Sequence, residues 1–258
     1  MYNQVLLIGL ENYPIIINKT RLFSRKEVIL ENYENALETI DAIGVSIYDE
    51  LGLDFLAKFP NLKLINILGT SSDKIDKKYC ENNNIKILNV TEYCDHETAE
   101  WVIWQLFNFF RLNNKSVYDK SLGVIGLGAV GKKLVQKALG LGMKVQSASN
   151  LENLFMNSDV ISFNTKAYMP FLNLELLELL KPHSLLINTC MGKLFDEVYI
   201  KDFLIRRPDV TCLFDSIASK SYSLELKNLI YKKEPAYLTT DSNQRLIEKF
   251  LSNFNFII

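Results

Sequence analysis

The sequence has little of what nucleic-acid-binding and membrane-spanning proteins need. Its 29 basic and 30 acidic residues leave a formal net charge of −1, which gives no reason to expect nucleic acid or an anionic membrane as a partner. No apolar stretch approaches the roughly 20 residues that cross a bilayer, and the N-terminus lacks a basic region followed by a long apolar segment. We therefore predict neither a membrane segment nor a nucleic-acid partner.

Cysteine and histidine are also scarce, with four and two residues respectively. The cysteines form no C-x-x-C pair and are widely spaced, which predicts reduced thiols in a cytoplasmic protein and no metal site. They are Cys80, Cys94, Cys190 and Cys212. The two histidines, His96 and His183, leave few candidates for acid–base chemistry.

The strongest motif lies in the middle of the chain. An apolar run at 122–125 predicts a buried strand and passes at once into glycines and then into an amphipathic helix pattern. Gly126, Gly128 and Gly131 have the G-x-G-x-x-G spacing of a dinucleotide-binding turn. A strand, a turn and a helix in this order are the context that the motif requires.

Each glycine has a mechanical role in such a turn. Gly126 permits the tight bend, Gly128 lets a pyrophosphate approach the backbone, and Gly131 lets the helix pack closely on the strand. The first N–H groups of the helix, including those of Ala129 and Val130, would bind the phosphates. At this point the motif is compatible with two alternatives, a working dinucleotide site and a retained fold that binds no dinucleotide.

Strands and helices alternate along the rest of the chain, which predicts an α/β fold with mainly parallel sheets covered on both faces. Strands are predicted at 5–8, 28–30, 42–47, 64–67, 85–88, 122–125, 144–148, 159–163, 185–188, 211–214 and 237–239. Helices are predicted at 33–40, 52–59, 75–82, 96–112, from 129, 173–180, 198–205 and 244–254.

Several further motifs stand in a fixed order. They are FPNLKLINILGTSSDKIDKKYCENNNIKILNV at 59–90, a Thr-Ala-Glu at 98–100, and the strand ends NSDVISFNTK, INTCMG and CLFDS. Together with the glycine motif they resemble the D-isomer-specific 2-hydroxyacid dehydrogenases over most of the chain. This resemblance implies a Rossmann-type doubly wound nucleotide-binding domain, residues 95–240, inserted into a smaller flavodoxin-like α/β domain formed by residues 1–94 and 241–258.

The resemblance also implies ligands and partners. It implies NAD or NADP as the cofactor, a small-molecule ligand in an interdomain cleft, and a homodimer formed through the nucleotide-binding domains. It adds Asn164, at a strand end, to the cofactor-binding residues. The acidic residue that binds the ribose in NAD-preferring members is replaced by Ser149 and Asn150, with Glu152 as a substitute nearby, so the choice between NAD and NADP is undecided.

Three departures from the family pattern concern catalysis. Met191 stands where the family has an arginine in Ile-Asn-x-x-Arg-Gly, and methionine cannot replace a bidentate carboxylate clamp. Asp241 stands where the family has its acid–base histidine, although carboxylates ordinarily titrate near about 3.9 and do not hold a proton at neutral pH. Counting without gaps from Gly192 places Lys220 at the position of the family's glutamate.

Other residues are candidates to replace the family's catalytic groups. Lys220 and Asp241 would form a salt bridge across the cleft, which would either stabilise the structure or select an unusual substrate. Cys94, Asp95 and His96 are the remaining candidates for new chemistry, with the ordinary alternative that Asp95 caps a helix and His96 begins it.

Two functional hypotheses follow. The first is an NAD(P)-binding oxidoreductase-like protein with a non-standard substrate or reaction. The second is a catalytically inactive relative that senses a dinucleotide or binds a protein partner.

Overall fold

The structure is a computed structural model that describes residues 1–24, 28–147, 150–165, 172, 174–190, 194–216 and 223–254. The chain divides into two compact units, Met1–Tyr93 with Thr240–Ile258, and Cys94–Thr239. Each unit contains one parallel sheet with helices between its strands. The predicted α/β class is therefore confirmed. No helix within the described ranges is both long and apolar enough to cross a membrane.

The first unit has a four-stranded sheet in which all neighbouring strands are parallel. Its strands, in sheet order, are β1 (Val5–Ile8), β2 (Ala42–Ser46), β3 (Leu64–Leu68) and β4 (Lys86–Asn89). Its helices before β4 are α1 (Pro14–Thr20), α2 (Leu53–Leu56) and α3 (Lys77–Asn82), with 3-10 turns at Arg21–Phe23 and Tyr33–Ala36. The sequence pattern does not predict α1, because only two of its seven residues are buried and no period develops.

One extended residue completes the order of this sheet. Ile29 forms a parallel bridge with Leu6 on the side of β1 away from β2. The N–H of Leu7 donates to the carbonyl of Ile29 at 2.9 Å, and the N–H of Ile29 donates to the carbonyl of Val5 at 3.0 Å. Counting this bridge as the second strand gives the order 2-1-3-4-5 of flavodoxin-like sheets.

The last helix, Thr240–Asn253, belongs to the first unit and contacts β3. Asn66, fully buried in β3, donates from Nδ2 to the carbonyl of Phe250 at 2.7 Å. Its Oδ1 accepts from Nδ2 of Asn253 at 2.9 Å. Gly44 on β2 leaves room for this helix, since an added Cβ there would lie 3.0 Å from the Phe250 ring.

The second unit has a six-stranded parallel sheet in the order β10-β9-β8-β7-β5-β6. Its strands are β5 (Ser121–Ile125), β6 (Lys144–Ser147), β7 (Val160–Phe163), β8 (Leu185–Asn188), β9 (Thr211–Phe214) and β10 (Leu229–Tyr231). Its helices are α4 (Asp95–Leu112), α5 (Ala129–Gly140), α6 (Leu151–Asn157), α7 (Leu174–Glu178) and α8 (Glu197–Arg206).

Alternate residues of these strands enter two separate cores. Leu185 and Ile187 of β8 pack with α4 and α5, whereas Leu186 between them packs with α6, α7 and α8. Leu213 of β9 likewise joins the first core, and Cys212 joins the second. A period of two with helices on both faces is the doubly wound arrangement that the sequence predicts.

Three predictions fail near element ends. The strand predicted at 237–239 is wrong, because this segment contains part of a turn in which the N–H of Leu238 donates to the carbonyl of Pro235. The last described strand is β10. The helix predicted from residue 244 already begins at Thr240, so Asp241 lies in its first turn instead of at a strand end. The helix predicted at 33–40 is only a 3-10 turn of four residues.

Asn66→Ala should lower the free energy of unfolding by about 1–3 kcal/mol, because it removes the buried amide and leaves the carbonyl of Phe250 without its donor. The matched control is Asn61→Ala, which removes an exposed bond from Nδ2 to the carbonyl of Glu38 and should cost less than about 0.5 kcal/mol. Urea denaturation followed by circular dichroism measures both. Equal losses would contradict the role given to Asn66.

Candidate functional site

The glycine motif lies where the strand order of the second sheet reverses. β5 lies between β6 and β7 in the sheet. From β5 the chain runs through α5 to β6 on one side of β5, and then through α6 to β7 on the other side. In doubly wound sheets, ligands bind in the crevice at the carboxyl ends of the two strands at such a switch point. Gly126 follows β5 and Asn164 follows β7, so both residues line this edge.

The three glycines differ in what surrounds them. Gly126 has φ +95°, and an added Cβ would lie 2.6 Å from the backbone oxygen of Asn164. An added Cβ at Gly131 would lie 1.9 Å from the backbone oxygen of Gly126. Gly128 instead has no atom of a described residue within 4 Å of its Cβ position. Two glycines thus permit close packing and the third leaves open space.

The start of α5 presents free donors beside that space. Gly128 is the N-cap, and the first backbone bond of the helix runs from the N–H of Lys132 to the carbonyl of Gly128 at 3.0 Å. Within the described residues no acceptor is found for the N–H groups of Ala129, Val130 and Gly131. Unpaired donors and the positive end of a helix favour an anion, so this turn fits the pyrophosphate of a dinucleotide.

The neighbouring strand ends carry hydrogen-bonded polar side chains. Asn164 is half-buried, and its Nδ2 donates to the Oγ of Ser162 at 3.1 Å. The hydroxyl of Thr189 donates to the carbonyl of Phe163 at 3.0 Å and to Oδ1 of Asn164 at 3.3 Å. These bonds hold Asn164 in place at the edge of the crevice.

Cys190 and Asp215 lie at the ends of β8 and β9, and sequence reasoning did not include them in the site. The Cys190 thiol accepts from the N–H of Thr165 at 3.3 Å, and burial raises its pKa to about 12, so it stays a neutral thiol. Asp215 is only 2% exposed and accepts from the N–H of Ala236. In the sequence, Asp215 could be recognised only as a single acidic residue directly after an apolar strand.

A second group of donors occurs in the first unit. The loop after β3 begins at Gly69, which has φ +150°. The backbone N–H groups of Thr70, Ser71 and Ser72 find no acceptor in the described part of the chain. Successive unpaired N–H groups form a concave site for an anion.

The residues predicted for catalysis belong to both units. Asp241 is exposed in the first unit, and His96 is exposed as the second residue of α4 in the second unit. Cys94, the N-cap of α4, is buried, and its carbonyl accepts from the hydroxyl of Thr98. Met191, Lys220 and Ser149 lie outside the described residues.

The remaining predicted residue, Asn150, is the exposed N-cap of α6, and its Oδ1 accepts from the N–H of Asn153 at 2.9 Å. Among the residues that the structure describes, no group of three or more His, Cys, Asp or Glu side chains is arranged to hold a metal ion.

Comparisons with known proteins agree with this arrangement. The family model for D-isomer specific 2-hydroxyacid dehydrogenase, catalytic domain, matches residues 11–257. Glycerate dehydrogenase of Methylorubrum extorquens is 26% identical over 264 residues, covering 85% of this chain and 84% of that protein.

Two solved structures show the same fold. D-lactate dehydrogenase from Aquifex aeolicus, in complex with NAD and lactic acid, matches with a TM-score of 0.79 at 22% identity, covering 97% of this chain and 94% of that one. An acyclic imino acid reductase, in complex with NADPH and D-Arg, matches with a TM-score of 0.79 at 21% identity, covering 98% and 96%.

Gly131→Ala should lower the free energy of unfolding by about 1–3 kcal/mol, because its Cβ would overlap the Gly126 carbonyl and push α5 away from β5. Gly140→Ala, in the same helix, is the control, since nothing lies within 4 Å of its Cβ position. That variant should be neutral or stabilised by up to about 1 kcal/mol. Urea unfolding compares the two, and a tolerated Gly131→Ala would disprove the close contact.

Proposed function

The chain belongs to the D-isomer specific 2-hydroxyacid dehydrogenase family, and we propose that it binds NAD or NADP at its glycine loop and uses it in a non-standard reaction. The observation that carries the proposal is the geometry of the loop. The contact of Gly131 with Gly126 brings α5 close to β5, the Cβ position of Gly128 has no described neighbour, and the N–H groups that follow Gly128 find no acceptor among the described residues. A pyrophosphate would accept from these donors, with Asn164 at the adjacent strand end.

The proposed reaction is non-standard because the family's catalytic groups are replaced. Met191 has no donors for a carboxylate, and Lys220 replaces the glutamate in the ungapped count. Asp241, at the position of the family's histidine, is exposed in the first turn of the last helix. Loss of one acid–base group typically slows such a reaction by about 10² to 10⁴.

We assign the loop of Thr70, Ser71 and Ser72 to the acidic group of a small-molecule ligand. Its unpaired backbone N–H groups can donate to an anion without any charged side chain. A ligand held in this way needs a carboxylate or a similar anion but not a 2-oxo group. The related fold of an imino acid reductase supports a wider choice of substrate.

A catalytically inactive relative is the second candidate. The observation that favours it is the chemistry of the described strand ends in the second unit. Burial raises the pKa of Cys190 to about 12, so this thiol stays neutral and is not poised to exchange a proton with a substrate. The alternative function is that of a dinucleotide sensor.

Gly128→Asp should abolish binding of NADH. The aspartate keeps the N-cap of α5, because it is a preferred capping residue, but its charge occupies the place of the pyrophosphate. Titration calorimetry or nicotinamide fluorescence should show a loss of at least about 100-fold in affinity. Gly52→Asp is the control, because Gly52 caps α2 in the first unit and also has nothing within 4 Å of its Cβ position.

Unchanged binding in Gly128→Asp, or no binding of either cofactor by the native protein, would refute the proposal. The same preparation separates the two candidates. A native protein that binds NADH but oxidises it with none of a panel of 2-oxo and imino acids is the inactive relative. Oxidation of NADH by an imino acid but not by pyruvate supports the non-standard oxidoreductase.

We further propose that the chain forms a homodimer through α4. Four exposed residues, Glu100, Trp104, Phe107 and Arg111, lie on one stripe of this helix, within about 60° at 3.6 residues per turn. Trp104 is 56% exposed and Phe107 is 39% exposed. Helices with such an uncovered aromatic stripe favour association.

The stripe is complementary to itself. A two-fold axis between Trp104 and Phe107 places Trp104 against Phe107 of the second copy. The same axis places Arg111 against Glu100 of the second copy, so opposite charges flank the aromatic centre. Glu100 already accepts from Lys137 of its own chain at 2.7 Å, and a carboxylate can accept from both cations.

Trp104→Glu should convert the dimer to a monomer, whereas Leu139→Glu, at an equally exposed position of α5, should not. Arg111→Glu alone should weaken the dimer by about tenfold, and adding Glu100→Arg should restore it, because the charge pair is reversed. Light scattering over a range of concentrations gives the mass. A native mass of one chain would exclude this interface.

The cysteines support a cytoplasmic location, which we also propose. All four are buried, and none forms a disulfide. Burial raises the pKa of Cys80 to about 11 and that of Cys212 further above its ordinary value. Buried thiols outside disulfides are typical of reducing compartments.

A further inference from the structure

The second sheet is unequal on the two sides of its switch point. In the order 3-2-1-4-5-6, two nucleotide-binding halves of three strands each meet at the switch point. Here one side has four strands, β7 to β10, and the other has only β5 and β6. Since the ribose of the adenosine is bound at the end of the second strand, the shortened side is the adenosine side.

The connection between β6 and α6 is short. β6 ends at Ser147 and α6 begins at Leu151, so three residues connect them. A crossover to another parallel strand needs about a dozen residues. In the order of the described strands, β6 lies at the edge of the sheet, with Lys144 and Ser147 exposed and the two residues between them only half-buried.

The residues at the end of β6 carry no formal charge. Residues 145–151 are VQSASNL, and the first charged residue after them is Glu152, exposed in the first turn of α6. An enzyme that selects NAD uses a carboxylate here to bind the ribose 2′-hydroxyl, and one that selects NADP uses an arginine for the 2′-phosphate. This chain offers neither at the strand end.

Asn150 is the described polar side chain at this end. Its Oδ1 is occupied, since it caps α6 by accepting from the N–H of Asn153 at 2.9 Å. Its Nδ2 finds no acceptor among the residues with described positions. The two N–H groups of this amide can donate to a hydroxyl oxygen or to a phosphate oxygen, and the neutral amide repels neither.

We propose that this chain does not discriminate between NAD and NADP, with Asn150 as the residue that contacts the 2′ position. This inference rests on the proposed function, because it presupposes a dinucleotide at the glycine loop. It specifies that the 2′ substituent meets one neutral donor at the open edge of the sheet. Selection between the two cofactors would require a charge that residues 145–151 lack.

The test measures the dissociation constants of NADH and NADPH from the fluorescence of the reduced nicotinamide, without any substrate. The native protein should bind both within about threefold. Asn150→Asp should weaken the binding of NADPH by at least about tenfold relative to that of NADH, because the new carboxylate would repel the 2′-phosphate. Asn150→Ser should leave the ratio near one, since it adds no charge.

Asp, Asn and Ser are about equally good N-caps, so all three proteins should keep α6. A native preference of tenfold or more for either cofactor would overturn the inference. A preference for NADH that disappears in Glu152→Gln would overturn it as well and assign the 2′ contact to Glu152. If Asn150→Asp leaves the ratio of the two dissociation constants unchanged, Asn150 does not contact the 2′ position and the inference is wrong. Failure to bind either cofactor would overturn the proposed function itself.

Discussion

The close approach of Gly131 to the Gly126 carbonyl is the contact on which the candidate site depends. A side chain at Gly131 would place its Cβ 1.9 Å from that oxygen, so only glycine lets α5 begin directly over the end of β5. The first N–H groups of the helix follow directly after Gly128 and find no acceptor in the described part of the chain. The packing constraint and the candidate anion site are therefore two consequences of one backbone geometry.

The core enforces the same geometry from both faces of the sheet. Leu122 and Val124 of β5 pack with α4 and α5, while Ile125 packs with the helices on the other face. β5 is thus fixed along its length before the chain turns at Gly126. A ligand would meet a preformed loop, and little of its binding energy would be spent on ordering the backbone.

The sequence predicts the frame better than the details of the site. Short apolar runs predict β1, β3, β8 and β9, which are buried almost throughout, and an amphipathic pattern predicts α5. It does not predict α1, because that helix buries only Ile16 and Thr20. It also misplaces Asp241, because the start of the last helix depends on packing against β3, which lies far away in sequence.

The glycine motif and the strand-end residues also differ in how well the sequence predicts them. Gly126 and Gly131 are encoded by a spacing with a steric meaning, and the structure shows both contacts. Cys190 and Asp215 have no such spacing, and only the strand order brings them to one edge. The roles of Met191 and Lys220 remain predictions, because they rest on alignment to the family and not on a physical pattern.

The buried strands and the glycine loop are subject to the same steric limit. Side chains along β8, such as Leu186 and Ile187, are buried in two cores, so replacing them would cost cavity or overpacking energy. Gly131 is limited in the same way, because it cannot gain a side chain without moving α5. The backbone around the candidate anion site is therefore fixed by packing before any ligand binds.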